Sequence, residues 1–510
     1  MSGIFFVRPL FLAAAVAAAS STAFADPSAP DTGFGDEGVV IENFGGVETG
    51  GKLFQLSSGQ ILLAGNGSGI TAGHSFTRYN LNGTIDTTYG TGGTATGHDG
   101  SLWGLTLLPG DILMAAGDAY SGNLTDLNDA AVMRYTAAGA KDGAFGTLGR
   151  VVFPLDPGAP ADEHATDVIV LASGKLLVCG YLWRGGTDFD MVVLRLTSAG
   201  ILDTTFADGG YYTFDFNGGV DKAWKVLELP DESIIVYGEV GDKSVFGAPT
   251  KVFFLRLTSE GEVDTTFGGS GTGYATVITD VNSDTPGGMV RLANGKFVFA
   301  IGGTAMWTVG RLNENGTRDT EFGANGIASL AAVYEGIAYP LAQSVAVVVQ
   351  SDGRVVVGGT LSGFTAQFQI KNDLGIARFE ADGTPDTTFN SGSAQRRYNV
   401  TDLAPEAAAS LLLQDDGKIV LAGFYPNGTD DRFMLRIEGD EPAAGLCGDA
   451  NGDGKVNASD ALATLRAAVG VTTCAPSICD VTGDGQVRAA DALRVLQFAV
   501  GSVGALECGA

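Results

Sequence analysis

Basic residues are scarce in this chain. Its 510 residues carry 30 Lys and Arg against 58 Asp and Glu, a formal charge of −28. So few cations argue against a nucleic-acid partner, because phosphate binding needs clustered Lys and Arg. There is no polybasic segment for an anionic membrane surface either. Histidine is rarer still, at positions 74, 98 and 164 only. The three fall in different repeats of the pattern described below. That spacing speaks against a histidine metal site and predicts a surface or turn position for each. The catalytic signatures H-E-x-x-H, G-x-S-x-G and G-x-x-x-x-G-K-[ST] are missing. Paired carboxylates suit glycoside hydrolysis, but no pair stands out among 58 acids, and no catalytic residue is assigned.

Long apolar runs are confined to the N-terminus. Arg8 precedes a short apolar core, Leu10 to Ala19, and Ala23-Phe24-Ala25 follows as an A-x-A cleavage site. This predicts a secretory signal peptide over 1–25, too short to be a membrane span, and an exported chain with no membrane insertion. Export permits disulfides. Cys179 stands alone in the apolar run LLVCG, which predicts a buried thiol. Cys447, Cys474, Cys479 and Cys508 crowd into the last 64 residues. Two bridges in a small C-terminal domain are expected, with three pairings open.

Glycine is abundant, 76 residues, while 45 % of the chain is hydrophobic. Many short strands joined by tight turns fit that combination, and disorder does not. A motif close to D-T-T-F-G recurs seven times, at Asp31, Asp86, Asp142, Asp203, Asp264, Asp319 and Asp386. An aromatic stands three residues after each Asp: Phe34, Tyr89, Phe145, Phe206, Phe267, Phe322 and Phe389. Mid-repeat, a turn leads into a β-branched run ending in Gly, as in SGKLLVCG (173–180) and DGKIVLAG (416–423). Late in each repeat stands an Arg, at 78, 134, 195, 256, 311, 378 and 436; the first six precede the next motif Asp by eight residues. The fourth repeat reads as four strands, YYTFDF (211–216), AWKVLEL (223–229), SIIVYGE (233–239) and KVFFLRL (251–257). No helix-period segment separates residues 31 and 440.

Four strands, seven times, predict an all-β fold, a seven-bladed β-propeller over 26–438. Arg436 has no motif after it and Asp31 has no Arg before it, so ring closure should bring these two together. The periodic Asp, aromatic and Arg are read as turn and packing residues. A functional site should break the symmetry instead. Trp103 and Trp307 are candidates to stack on a sugar, with blade packing as the ordinary role. A non-periodic cluster of carboxylates and aromatics at one channel mouth would favour an enzyme, and a symmetric mouth a binding or structural protein.

The repeats resemble the delta-60 repeat family of exported bacterial proteins, whose hallmarks stand here as LDTTFADGG (202–210) and DGKIVLAG (416–423). Repeat three departs most, with Lys141-Asp142-Gly143-Ala144. The resemblance implies a propeller and no chemistry.

After a short polar linker, 439–446, the composition changes. DANGDGKVNASD (449–460) and DVTGDGQVRAAD (480–491) each repeat the twelve-residue calcium-loop pattern, and each runs into a helical stretch. Ca²⁺ takes six to eight oxygens, supplied at loop positions 1, 3, 5, 7, 9 and 12. In loop one these are Asp449, Asn451, Asp453, the Lys455 carbonyl, Asn457 and Asp460. In loop two they are Asp480, Thr482, Asp484, the Gln486 carbonyl, Arg488 (through water) and Asp491. Two Ca²⁺ are expected, loop one binding the more tightly because Thr482 replaces an Asn. Leu462, Leu465 and Val469 match Leu493, Leu496 and Val500, and one such stripe is expected to close the module's own core, leaving Ala463, Ala467 and Ala468 for a partner.

This loop–helix duplication, over 447–501 of a module at 447–510, resembles a type I dockerin. The resemblance implies a calcium-dependent docking module and a cohesin-like or cell-surface partner. Specificity positions 10 and 11 fall on Ala458-Ser459 and Ala489-Ala490, and the hydroxyl pairs of cellulosomal dockerins are mostly absent. The four cysteines are a further departure. The leading expectation is a non-catalytic binding or scaffold propeller with a dockerin-like module. A secreted carbohydrate-active enzyme acting on polysaccharide is the alternative, and a structural cell-surface protein the third.

Overall fold

The computed structural model describes residues 26–510 except 44–47, 68–72, 124–125, 154–161, 187, 242–249, 278–283, 304, 335–336, 365–369, 401–404, 426–430, 441–446, 451–455, 470–471, 473, 475, 484–485, 501, 504–505, 507 and 509–510. The expected signal peptide lies outside the described residues. No described helix is long and apolar enough to cross a membrane.

Seven four-stranded antiparallel sheets form a seven-bladed propeller. Blade one holds Glu48–Gln55, Ile61–Gly67, Gly73–Tyr79 and Thr94–Thr96, from inner to outer strand. Blades two to six follow in the same order, starting from inner strands Leu102–Leu108, Glu163–Val170, Lys222–Glu228, Thr285–Arg291 and Leu341–Val349. Blade seven combines Ala407–Leu413, Ile419–Tyr425 and Asp431–Ile437 with an outer strand from the opposite end of the chain, Val39–Glu42.

Blade and sequence repeat are therefore out of step by one strand. Tyr211–Phe214, read from sequence as the first strand of the fourth repeat, is the outer strand of blade three. The D-T-T-F-G turn links the third and outer strands of one blade, so each repeat begins inside the blade before it. The same offset closes the ring. Val39, Val40, Ile41 and Glu42 pair with Leu435, Met434, Phe433 and Arg432. The Asp31 amide donates to the Arg436 carbonyl at 2.9 Å, just as Asp86 donates to Arg78 at 2.8 Å within the first repeat. Pairing the first strand with the last blade removes two free sheet edges and fastens the circle. A buried ion pair adds to the clasp: Arg432 meets Glu42, which also accepts a hydrogen bond from the Tyr79 hydroxyl at 3.0 Å. Gly439 and Asp440, polar-linker residues by composition, are also held by the ring. Gly439 donates its amide to the Pro27 carbonyl at 2.8 Å, and Asp440 accepts from Arg378 and from Gln350 at 3.2 Å.

The motif residues do structural work in every blade. One oxygen of each motif Asp accepts the amide two residues on, at 2.9–3.3 Å, fixing the turn. The other meets the repeat's Arg Nε at 2.5–3.2 Å. Each motif aromatic is buried in the apolar layer between neighbouring blades, as Phe206 is between blades three and four. Six of the seven rings lie against the tight-turn Gly of the following blade: a Cβ on Gly261 would come within 2.9 Å of Phe206.

The Gly that ends each β-branched run has a separate cause. Every inner strand carries a bulge near its start. The bulge turns an inner-strand carbonyl onto the second strand. A Cβ on Gly180 would sit 1.8 Å from the His164 oxygen, and one on Gly359 1.8 Å from the Gln343 oxygen. Only glycine tolerates that approach.

Among the described residues, helices occur only after residue 457. They are α1 (Ala458–Ala468), α2 (Pro476–Cys479) and α3 (Ala489–Ala499). The disulfides are Cys447–Cys508 and Cys474–Cys479, and Cys179 is a buried free thiol whose ionisation burial opposes.

Candidate functional sites in the C-terminal module and at the channel mouth

Both twelve-residue loops end in matching helix starts. Asn457 caps α1: its side chain accepts from the Ser459 amide at 2.8 Å, and Asp460 accepts from the Asn457 amide at 2.9 Å. At α3, Asp491 accepts from the Arg488 amide at 2.8 Å. Position 12 thus serves as both cap partner and inward carboxylate. In loop two Asp491 also receives the Thr482 amide and hydroxyl, at 3.0 and 2.8 Å, and the same hydroxyl lies 3.4 Å from Asp480. The structure therefore brings Asp480, Thr482 and Asp491 together. Arg488 turns its guanidinium to Gln486 Oε1 at 2.7 Å, clear of these oxygens.

Asp449, Asp460, Asp480 and Asp491 are all buried. Asp480 and Asp491 meet at one hydroxyl, and buried carboxylates with an all-oxygen donor set suit a hard cation. Asn451, Asp453, Lys455 and Asp484 lie outside the described residues. α2 supplies a short helical turn just before loop two.

The helix faces reverse the expected division of labour. Ala461, Val481 and Val495 form the core, joined by Cys447, Val456, Leu506 and Cys508. Leu462, Leu465 and Val469 of α1, and Leu493, Leu496 and Val500 of α3, are 40–67 % exposed. Each helix has two apolar stripes. The small-residue stripe, Ala461 and Thr464 in α1, allows a close approach of the helices, which leaves the bulkier stripe outside.

On the propeller, the histidine expectation is also corrected. His74 and His98 are buried, on either side of Tyr135: His74 Nδ1 is 2.8 Å from the Tyr135 hydroxyl, which accepts the His98 amide at 3.1 Å. Separate sequence repeats meet here because the blade is offset from the repeat. Burial lowers both imidazoles to about 4. Trp307 is fully buried, donating to the Tyr334 hydroxyl at 3.0 Å, and so is a packing residue.

Symmetry breaks at the mouth where the inner strands begin, across blades two to four. Trp103 and Trp224 are the extra residues of their bulges. Trp103 is 37 % exposed, and its indole N–H is tied to Asp118 at 2.9 Å. Asp118 also bonds His164 Nδ1 at 2.8 Å, and Asp162 lies 3.5 Å from Nε2. Burial opposes a charge on His164, but the hydrogen bond and field of Asp118, then those of Asp162, raise its pKa. Ring contacts run from Trp103 to His164 (6.0 Å), to Tyr181 (4.6 Å) and to Trp224 (5.9 Å). The Lys222 ammonium lies over Tyr181 and Phe189, at 4.6 and 4.2 Å. Burial raises the pKa of Glu239, against the opposing influence of Lys222 and of a hydrogen bond from Trp224.

Further along the inner strands, Asp167 lies 3.7 Å from Lys225 and accepts the Val226 amide at 3.1 Å. Burial, then the charge of Lys225, lowers Lys52 to about 8, although Asp167 opposes this. Trp103 and Trp224 share the bulge position of blades two and four, and Lys52 and Lys225 the position after it in blades one and four, but the other blades carry different residues there, so their departure from the repeat is what marks them in the sequence. The acids Asp188, Asp190 and Asp215 approach one another near the third strand of blade three.

Comparison with known families agrees with this division. Residues 171–206 and 350–389 match a family model described as a domain of unknown function (DUF5122) beta-propeller. Residues 447–498 match the dockerin type I domain. The C-terminal module thus matches the type I dockerin domain over most of its length. Calcium binding and docking to cohesins are the properties of such domains. No curated protein matches the chain. Among solved structures, it is similar to virginiamycin B lyase from Staphylococcus aureus, at 9 % identity over 78 % of this chain and 98 % of that one, TM-score 0.42. It is similar also to an α-L-arabinofuranosidase from Fusarium graminearum, at 13 % identity over 65 % and 92 %, TM-score 0.37. A protein of unknown function from Dyadobacter fermentans matches at 13 % identity over 78 % and 99 %, TM-score 0.38.

Proposed function

We propose that this is an exported β-propeller whose dockerin module, holding two Ca²⁺, attaches it to a cohesin-like partner while the propeller presents a ligand-binding face. The observation that carries the docking half is the exposed, duplicated stripe Leu462, Leu465, Val469 and Leu493, Leu496, Val500. Six large apolar side chains on a module this small mark an interaction surface. Calcium acts on that surface indirectly. It would be held by Asp449, Asn451, Asp453, Lys455, Asn457 and Asp460 in loop one, and by Asp480, Thr482, Asp484, Gln486, Arg488 (through water) and Asp491 in loop two. Neutralising those carboxylates fixes the first turns of α1 and α3, and with them the stripes.

The test pairs calorimetry with capture. The full chain should release heat on adding Ca²⁺ after chelation, fitting two sites with loop one tighter, and a cohesin panel should retain it only with Ca²⁺. Leu465→Asp with Leu496→Asp should abolish capture while leaving the calcium heat intact. Calcium-independent capture, or capture insensitive to this pair, would refute the reading.

A second reading, a tethered carbohydrate-active enzyme, is favoured by the non-periodic carboxylates and aromatics at the mouth. Release of new reducing ends from polysaccharide separates it from pure binding.

A further inference from the structure

We infer that the ledge formed by Trp103, His164, Tyr181 and Trp224 at the channel mouth is a binding platform for a neutral glycan segment. The inference rests on the reading of the propeller as the ligand-handling half of the molecule, and is independent of the docking module.

Asymmetry is the first support. The bulge of the inner strand is common to all seven blades, so the fold itself needs nothing special there. Blade three places Thr166 at the bulge, blade six Val345 and blade seven Ala409. Blades two and four instead place tryptophans, and Trp103 remains more than a third exposed. A half-exposed indole forgoes much of the free energy that its burial would supply.

Preorganisation is the second. The Trp103 ring is held through its N–H by Asp118, and Asp118 is held by His164. Trp224 packs edge-on to Tyr181, and Tyr181 is pinned by the Lys222 ammonium. The rings therefore keep their orientation without a ligand, which lowers the entropy cost of binding one.

The chemistry of the rim selects the ligand. A sugar ring has an apolar C–H face and a border of hydroxyls, each both donor and acceptor. Aromatic faces suit the first. Around them the half-buried Asp162 and Glu239 offer carboxylate oxygens and Lys222 an ammonium, with Asp118 buried beneath as the anchor of the ledge, which suits the second. A polyanion would meet those carboxylates within a chain of formal charge −28. A cationic ligand would have to displace Lys222 from its place over Tyr181 and Phe189. A neutral, hydroxyl-rich ring conflicts with neither.

The experiment titrates the full chain in chelator with neutral hexasaccharides of glucose, xylose, mannose and arabinose, with hexagalacturonate as the polyanionic comparison. Tryptophan fluorescence and calorimetry are read together. At least one neutral hexasaccharide should bind in chelator as well as in Ca²⁺ and perturb the fluorescence, and hexagalacturonate should bind at least tenfold more weakly. Trp103→Ala and Trp224→Ala should each weaken binding tenfold or more. Trp224→Phe, which keeps an aromatic face, should retain most of it, so a general folding defect is distinguished. Four inert neutral sugars, a preference for hexagalacturonate, or unchanged affinity in both alanine variants would overturn the inference. Binding that disappears only in chelator would place the sugar on the dockerin module and overturn it too. Loss of cohesin capture, by contrast, bears on the docking reading alone.

Discussion

Replacing Glu42 tests how the ring is fastened. Glu42 lies on the N-terminal strand and faces Arg432 across the closing sheet, with both side chains buried. Glu42→Gln keeps the shape and the Tyr79 hydrogen bond but leaves the Arg432 guanidinium buried without a counter-charge. Breaking one partner of a buried pair costs about 3–5 kcal/mol. The unfolding entropy of a domain spanning 26–438, at about 2.1 cal/mol/K per residue, converts this to a fall of roughly 3–6 °C in melting temperature. The double replacement Glu42→Leu with Arg432→Met removes both charges and should fall by less than about 2 °C, because apolar isosteres of buried pairs are often neutral. Differential scanning calorimetry of the three chains decides. A shift of under 1 °C for Glu42→Gln, or a double variant as damaged as the single, would refute the idea that this ion pair clasps the ring.

Three further outcomes follow from the same structure. Gly180→Ala drives a Cβ into the His164 carbonyl and should cost about 2 kcal/mol or more, whereas Gly143→Ala, with nothing within 4 Å, should leave urea unfolding unchanged. His74 and His98 are held near 4 in the folded chain, below the ordinary 6.5, so the unfolded chain binds the extra protons and these residues lower stability as pH falls from 6.5 to 4. Asp221, raised by burial to about 7, acts in the opposite sense over that range, so the readout is the change of slope: melting temperature against pH between 4 and 6.5 should rise less steeply, or turn downward, in His74→Gln with His98→Gln relative to the parent. Truncation after Asp440 keeps the contacts of that carboxylate to Arg378 and should leave the propeller's melting nearly unchanged while removing calcium binding; a collapse of the propeller would make the module a structural cap.

The repeats alone determined the number of blades, the turn role of each motif Asp and the meeting of Asp31 with Arg436. These rest on local chemistry and on counting: an Asp that caps a turn, an Arg eight residues before it, and one unmatched member at each end. The match of the C-terminal module to a dockerin domain was legible for the same reason, since its twelve-residue loop pattern is contiguous in sequence. Tertiary structure decided the rest. Which repeat supplies the outer strand of a blade depends on how the ring closes, and a period does not specify its own phase. Helical spacing shows that Leu462, Leu465 and Val469 share a face, but not that the adjacent small-residue stripe packs more closely and leaves them outside. The ledge of Trp103, His164, Tyr181 and Trp224 joins residues from three blades through bulges. It has no spacing in the chain, and only the curvature of the ring brings those side chains together.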